Sequence, residues 1–243
     1  MRTLSWIYTR FTSCSGCQLM LLNCEEELHL LAAFDLRGFA MASSSRSAEG
    51  PVDLALVEGS ISRPQELTEL LALRQRARVL VAVGACALTG GVNALGEMER
   101  SLMQEKVYGD APEQSTFPPL PLKRFVSVDL ELPGCPPEKE EYLRLLGAMA
   151  QGGLPPIKTY PVCMECRLRE NLCLLIERRE ACLGPVTRAG CDARCPSVGI
   201  GCEGCRGLVA EANRSEEFRL LLDLGLSEKE VRRRMKRFSG EGP

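Results

Sequence analysis

Thirteen cysteines and a single histidine constrain this 243-residue chain more than any other feature. The odd number argues against a disulfide framework of the secreted kind. The first residues, MRTLSWIYTRF, carry no basic segment followed by an apolar stretch and no twin-arginine pair, so export is not expected. In a reducing cytoplasm, clustered thiols are metal ligands more often than crosslinks. Eight of the cysteines fall within residues 162–205, a stretch with few β-branched runs and no clear period. Such a segment cannot build an ordinary core and calls for inorganic staples.

The preceding part has a different pattern. Residues 4–8, 52–57, 78–83 and 125–130 read as apolar strands. Helices are expected over 18–31 (on Leu19, Leu22, Leu28 and Leu31, flanked by Met20 and Leu21), 64–77 (opened by Ser62, Arg63 and Pro64) and 137–150. Strands alternating with helices imply an α/β fold built on a parallel, doubly wound sheet. Residues 104–124 read as a Pro-rich loop, with Pro112, Pro118, Pro119 and Pro121, and 151–161 as a linker. This divides the chain into 1–152 and 153–243. Residues 207–238 return to helix, with Ser227 and Glu230 as a capping box.

Net charge is −2, which gives no global electrostatic case for nucleic acid. The basic run Arg232, Arg233, Arg234, Lys236 and Arg237 has no aromatic residues interleaved to stack on bases, so it reads as a solvated helix face or a partner contact. No apolar run approaches the roughly 20 residues of a membrane helix, and no membrane insertion is expected.

Four cysteines lie at telling places in the α/β part. Cys14 and Cys17 form a C-x-x-C after the first strand, Cys86 follows the strand ending at Val83, and Cys135 follows the strand ending near Leu130. Loops at the carboxyl ends of parallel strands gather at one edge of a sheet. Three distant segments would thus deliver four thiolates to one place, enough for zinc or for a [4Fe–4S] cluster. Only one pair is close in sequence, and the other two cysteines are flanked by Gly or Pro, which favours the cluster; taken singly, Cys86 and Cys135 read as buried thiols. The later eight are Cys163, Cys166, Cys173, Cys182, Cys191, Cys195, Cys202 and Cys205, with intervening lengths 2, 6, 8, 8, 3, 6 and 2. The break in the middle suggests Cys163–Cys182 as one set and Cys191–Cys205 as the other. The Cys191-x-x-x-Cys195-Pro196 run is similar to a bacterial ferredoxin tail, whose last cysteine can serve another cluster, so the partition stays open. Two structural zincs are the alternative.

These residues resemble a family. TSCSGC (12–17), LVEGSI (56–61), AVGACALTGGVNAL (82–95) and PGCPP (133–137) resemble, in order, the small subunit of [NiFe] hydrogenases. PVCMECRLRENLC (161–173) and ACLGPVTRAGC (181–191) resemble the delta subunit of cytoplasmic, NAD(P)-linked enzymes of sulfhydrogenase type. The resemblance implies a flavodoxin-like domain followed by a small irregular iron–sulfur domain with C-terminal helices. It implies three [4Fe–4S] clusters: proximal on Cys14, Cys17, Cys86 and Cys135, distal on Cys163, Cys166, Cys173 and Cys182, and medial on Cys191, Cys195, Cys202 and Cys205. The implied role is electron relay, with no hydrogen-activating centre in this chain. The implied partners are a large subunit bearing the Ni–Fe centre and flavin/iron–sulfur subunits that reduce NAD(P). Glu58 matches a family carboxylate near the proximal site and reads as a hydrogen-bond anchor. Cys24 is left over as a packed core thiol. Membrane-bound relatives place a histidine where Cys163 stands; the only histidine here, His29, is expected in a helix. An all-thiolate row keeps potentials low, which suits a nicotinamide- or ferredoxin-linked partner. The rival within this fold, an iron–sulfur subunit of complex-I type, carries a single cluster and lacks the eight-cysteine tail.

Overall fold

The computed structural model describes residues 3–24, 27, 34–44, 49–96, 99–109 and 115–239. Five strands, β1 (Leu4–Arg10), β2 (Phe34–Phe39), β3 (Val52–Glu58), β4 (Ala77–Val83) and β5 (Leu130–Leu132), form one sheet in the order β2-β1-β3-β4-β5. Every pairing is parallel, with Trp6 opposite Leu54, Glu58 opposite Val83 and Val83 opposite Leu132. This is the flavodoxin-like order, whose switch point lies between β1 and β3.

Burial on both faces explains why β3 is buried at every position and needs no polar alternation. Leu54, Leu56, Val81 and Val83 point to one face, where Trp6, Tyr8 and the helix α5 (Lys139–Ala150) supply Tyr142, Leu145, Leu146 and Met149. Ala55, Val57, Leu80 and Ala82 point to the other, against Leu70 and Leu73 of α2 (Pro64–Arg76) and Ala87 and Leu88 of α3 (Gly84–Thr89). The α2 start follows its sequence signals. Pro64 occupies the first turn, and Glu66 accepts the Ser62 and Arg63 N–H groups at 2.8 and 3.1 Å.

Several expectations need correction. Helix α1 spans Gly16–Leu22 and ends where the Cys24 N–H bonds to the Leu21 carbonyl; Leu28, His29 and Leu31 lie outside the described residues. The apolar segment 125–130 is not a strand until Leu130. Phe125, Val126 and Val128 instead pack under α2, where Arg74 bonds the Ser127 carbonyl and Asp129 at 3.2 and 2.6 Å. Part of the expected Pro-rich loop is helix α4 (Arg100–Tyr108), which has no buried residue and so no apolar stripe to announce it. Edge strand β2 was not expected either; Asp35, Arg37 and Gly38 dilute its apolar signal, while Phe39 packs on Trp6 and Tyr8 at ring distances of 5.9 and 5.1 Å.

Beyond 151–161 the chain forms short pieces: α6 (Val162–Leu168), α7 (Leu174–Glu177), a 3-10 turn Gly184–Val186 and α8 (Arg194–Ser197). Two longer helices follow, α9 (Arg214–Asp223) and α10 (Glu228–Ser239), with Ser227 and Glu230 bonded as a capping box. Among the described residues no helix is long and apolar enough to cross a membrane. The basic run of α10 is largely engaged: Arg234 and Arg237 each reach Glu203 at 2.6 Å, and Arg232 pairs with Glu228.

Leu56→Ala removes a fully buried side chain at the centre of β3. It is expected to cost about 2–5 kcal/mol, read as a lower denaturation midpoint. Val107→Ala on exposed α4 should stay within about 0.5 kcal/mol. Equal effects would contradict the placement of the core.

Candidate metal centre

The carboxyl ends of β1, β3, β4 and β5 carry the first group of candidate residues. After β1 the chain is pinned to the loop after β3: Phe11 N–H donates to the Glu58 carbonyl at 2.8 Å, and Thr12 and Ser60 exchange backbone bonds. Ser15 then takes a left-handed conformation (φ 68°), held by Arg10 at 2.6 Å, and starts α1 so that Cys14 and Cys17 flank the turn. Cys86 lies in α3, which begins directly at the end of β4, and the Ala85 N–H donates to the Gly134 carbonyl at 2.7 Å, tying its loop to that of Cys135. Asn93 bridges the Thr12 carbonyl and the Cys86 thiol at 3.0 and 3.6 Å.

Glycine makes the approach possible. At Gly84 (φ +82°) a Cβ would lie 2.4 Å from the Cys17 Sγ, and at Gly91 one would lie 3.0 Å from the Cys86 Sγ. The thiols sense one another. Burial pushes Cys86 up to about 12, and the charges of Cys135 and Cys14 push the same way. Burial raises Cys17 further, with Glu58, Cys86, Cys135 and Cys14 adding to it.

The later eight thiols fall into two neighbouring groups. Burial pushes Cys163 up to about 12, reinforced by Cys182, Cys166 and Cys173. Gly184 sits between two of these; its Cβ would meet the Cys163 and Cys182 Sγ atoms at 3.3 and 3.4 Å. Burial likewise pushes Cys205 up to about 11, with Cys191 and Cys195 among its charged neighbours. Burial raises Cys202, and Cys182 and Cys205 both add to it. Two contacts chain the groups together. The Cys135 backbone N–H lies near enough to the Cys205 thiol to lower its pKa against burial, and the Cys202 N–H donates to the Cys182 Sγ at 3.2 Å. The group Cys191–Cys205 therefore lies between the other two.

Thiols so placed cannot all ionise beside one another without a cationic centre. Among the described residues no three or more Cys, His, Asp or Glu side chains close on a point that could hold a single metal ion. A polynuclear cluster makes a different demand, since each iron takes its own thiolate. The donor set and the glycine cradles suit such a cluster.

Comparison with known proteins is decisive at this point. Residues 14–149 match the family described as NADH ubiquinone oxidoreductase, 20 Kd subunit. The chain belongs to this family. Within it, the chain is 40% identical to sulfhydrogenase 2 subunit delta of Pyrococcus furiosus, over 94% of this chain and 96% of that protein. It is 31% identical to a subunit of the F420-non-reducing hydrogenase vhu of Methanocaldococcus jannaschii, over 80% and 78% of the two chains. A chain of an NAD+-reducing [NiFe]-hydrogenase superposes with TM-score 0.58 at 28% identity, covering 64% of this chain and 96% of that one. These relatives make the protein a hydrogenase subunit of small-subunit type.

Among the residues that support the site in this hydrogenase subunit, Glu58 and Cys24 were singled out from the sequence and Glu165 was not. Glu165, between Cys163 and Cys166, is buried and accepts Lys158 at 2.6 Å and the Gly190 and Ala193 N–H groups at 3.0 and 3.3 Å, so it holds the Cys191 loop. Burial raises its pKa, but these partners outweigh burial and bring it below the usual value. Its place inside a C-x-E-C was the available signal. Glu58 is buried and accepts the Gln18 N–H at 3.1 Å, which anchors α1; burial raises its pKa. Cys24 is buried in the core with its thiol on the Met20 carbonyl at 3.6 Å, away from the three groups.

Glu217 of α9 is buried, its Oε1 has no hydrogen-bond partner, and burial pushes its pKa up to about 7. The folded chain therefore binds more protons than the unfolded chain between the ordinary value of 4.5 and about 7. Stability falls as pH rises through that window, by about 3 kcal/mol, and stays at the lower level above it. Glu217→Gln should flatten this slope and raise stability at pH 8, measured by denaturation across the pH series. A slope that survives the substitution would clear Glu217 of the effect.

Proposed function

We propose that this chain is the electron-relay subunit of a cytoplasmic [NiFe] hydrogenase. It would hold three [4Fe–4S] clusters: proximal on Cys14, Cys17, Cys86 and Cys135, medial on Cys191, Cys195, Cys202 and Cys205, and distal on Cys163, Cys166, Cys173 and Cys182. The observation that carries the reading is the chaining of the three thiol groups, through Cys135 to Cys205 and through Cys202 to Cys182. When bound, the clusters supply one-electron storage, passing electrons between a Ni–Fe centre in a large subunit and a flavin/iron–sulfur module that reduces NAD(P).

The chain's own residues set the conditions for this. The thiolates anchor the irons, and the glycines beside them bring backbone close to sulfur, which tunes potential. Buried Cys17, Cys182 and Cys202 keep water from the middle of the row. Cys14 and Cys135 are exposed at the sheet edge, where a large subunit would cover them. Residues 1–152 would act as the module for the first cluster and 153–243 as the module for the other two. The likeness to a chain of an NAD+-reducing [NiFe]-hydrogenase supports a nicotinamide-linked partner. The match to the family of the NADH ubiquinone oxidoreductase 20 Kd subunit favours a second reading, in which the relay is kept and a complex-I-like or ferredoxin-linked acceptor replaces the nicotinamide module.

Anaerobic purification with the large subunit should give about twelve irons per chain, no stoichiometric zinc, and reduced-cluster signals in low-temperature paramagnetic resonance. A folded, colourless protein containing zinc would sink the proposal. Assay with NAD+, NADP+ and ferredoxin separates the two readings. Cys86→Ser should lose about four irons and hydrogen-dependent acceptor reduction, whereas Cys24→Ser should keep both.

Gly84→Ala should behave like Cys86→Ser, because its Cβ displaces the Cys17 thiol. Gly147→Ala on α5, where nothing lies within 4 Å, should retain full iron. Full iron in Gly84→Ala would show that the cradle is not needed.

A further inference from the structure

Arg206, immediately after Cys205, is a charge buried where chains rarely bury one; its side chain is only 2% exposed. The guanidinium is fixed on three sides. Nη1 and Nη2 form a bidentate pair with Glu141 of α5 at 2.9 and 2.6 Å, and Nε donates to the Ala189 carbonyl at 2.9 Å. It lies flat against the backbone before Cys191: a Cβ on Gly190 (φ +129°) would sit 2.1 Å from Nη2 and 2.6 Å from Cζ. Its charge acts on the Cys191 and Cys205 thiols, lowering both against the effect of burial. Glu165 acts on Cys191 in the opposite sense. Glu141 Oε1 stands behind the guanidinium, 3.0 Å from the same Gly190 Cβ position against 2.1 Å for Nη2, so of the pair the cation is the nearer to the backbone before Cys191.

An ion pair of this depth is a poor source of stability, since well-packed apolar residues do as well. What it provides is a cation of fixed position. A guanidinium does not deprotonate in proteins, so the charge persists at every working pH. Reduction of a thiolate-bound cluster adds one negative charge and no proton, and a nearby fixed cation stabilises the reduced form.

We propose that Arg206 is the positioning residue that raises the potential of the cluster held by Cys191, Cys195, Cys202 and Cys205, with Glu141 aiming and partly offsetting its charge. The inference rests on the proposed three-cluster reading. Among the described residues Arg206 is the buried cation, and it stands against the middle group of the row.

The test is a dithionite-driven redox titration of the anaerobically purified complex, followed by paramagnetic resonance, with iron counted in each sample. Arg206→Gln combined with Glu141→Gln keeps hydrogen-bonding groups and removes both charges. One of the three midpoints should fall, by the equivalent of about tenfold in the reduced-to-oxidised ratio or about 59 mV for one electron, while the other two stay put. Arg206→Lys should leave that midpoint near its native value. Glu141→Gln alone should raise it, because the cation loses its counter-charge. A purely structural clamp predicts no such opposite pair of shifts. Unmoved midpoints with full iron in all variants overturn the inference. If the double variant loses iron, Glu141→Gln decides: a raised midpoint supports the inference and an unmoved one overturns it. Absence of iron from the native complex would instead overturn the three-cluster reading itself.

Discussion

Mutual repulsion among crowded thiolates is the constraint on which the rest of this structure turns. Each of the three groups combines burial with neighbouring sulfur charge, and both effects oppose ionisation. In the cysteine-rich region the thiols enter the core themselves: one small buried cluster consists of Val162, Ala193, Cys182 and Cys202. Leu183 and Val186 join Leu221, Val231 and Met235 of the C-terminal helices in a second, apolar one, so the expectation that this segment builds no ordinary core is corrected. On the proposed reading, cationic iron linked by sulfide would remove the repulsion and complete the packing around these cysteines.

The α/β part meets the same constraint differently. Its sheet is stable in its own right, with two apolar faces and a central strand buried along its length. It can therefore bring thiols to its edge without depending on them for a core. Strand order places β1 beside β3, so the loops bearing Cys14, Cys17 and Glu58 diverge from a common point, and β4 and β5 add Cys86 and Cys135 alongside. The family match to residues 14–149 covers this scaffold from the loop after β1 onward and stops before the eight-cysteine block. The scaffold is thus the part shared with the family, and the block is an addition to it.

Legibility in the sequence followed the strength of the local signal. Strands β1, β3 and β4 are continuous apolar runs, and α2 announces its start with Pro64 and Glu66, so each was readable. The edge strand β2 and the exposed helix α4 bury too little to leave a period. The segment before β5 is apolar for a different reason, packing beneath α2 rather than pairing. The twelve candidate thiols were legible because cysteine has few other uses in such numbers. Arg206, Glu165 and Glu141 were not, because a charged residue beside a cysteine looks like any surface charge until burial is known. The basic run of α10 read as a solvated helix face or a partner contact; that two of its arginines, Arg234 and Arg237, hold Glu203 between Cys202 and Cys205 left no local signal.

The order of the three groups in space differs from their order in sequence, and the chain's path gives the reason. After the linker the backbone passes first to the group farthest from the sheet, Cys163–Cys182, and only then returns through Cys191 to Cys205 beside Cys135. An outward pass alone would leave the last group dangling. The return lets both ends of the block be tied down: Val162 bonds to Thr187 and Ala189 to Tyr160 across the two passes, while Arg188 reaches Glu131 on β5 and Arg206 reaches Glu141 on α5. Helix α10 then closes the path, with the Phe238 carbonyl accepting Thr89 in the Cys86 segment at 2.6 Å and Glu203 held by two arginines.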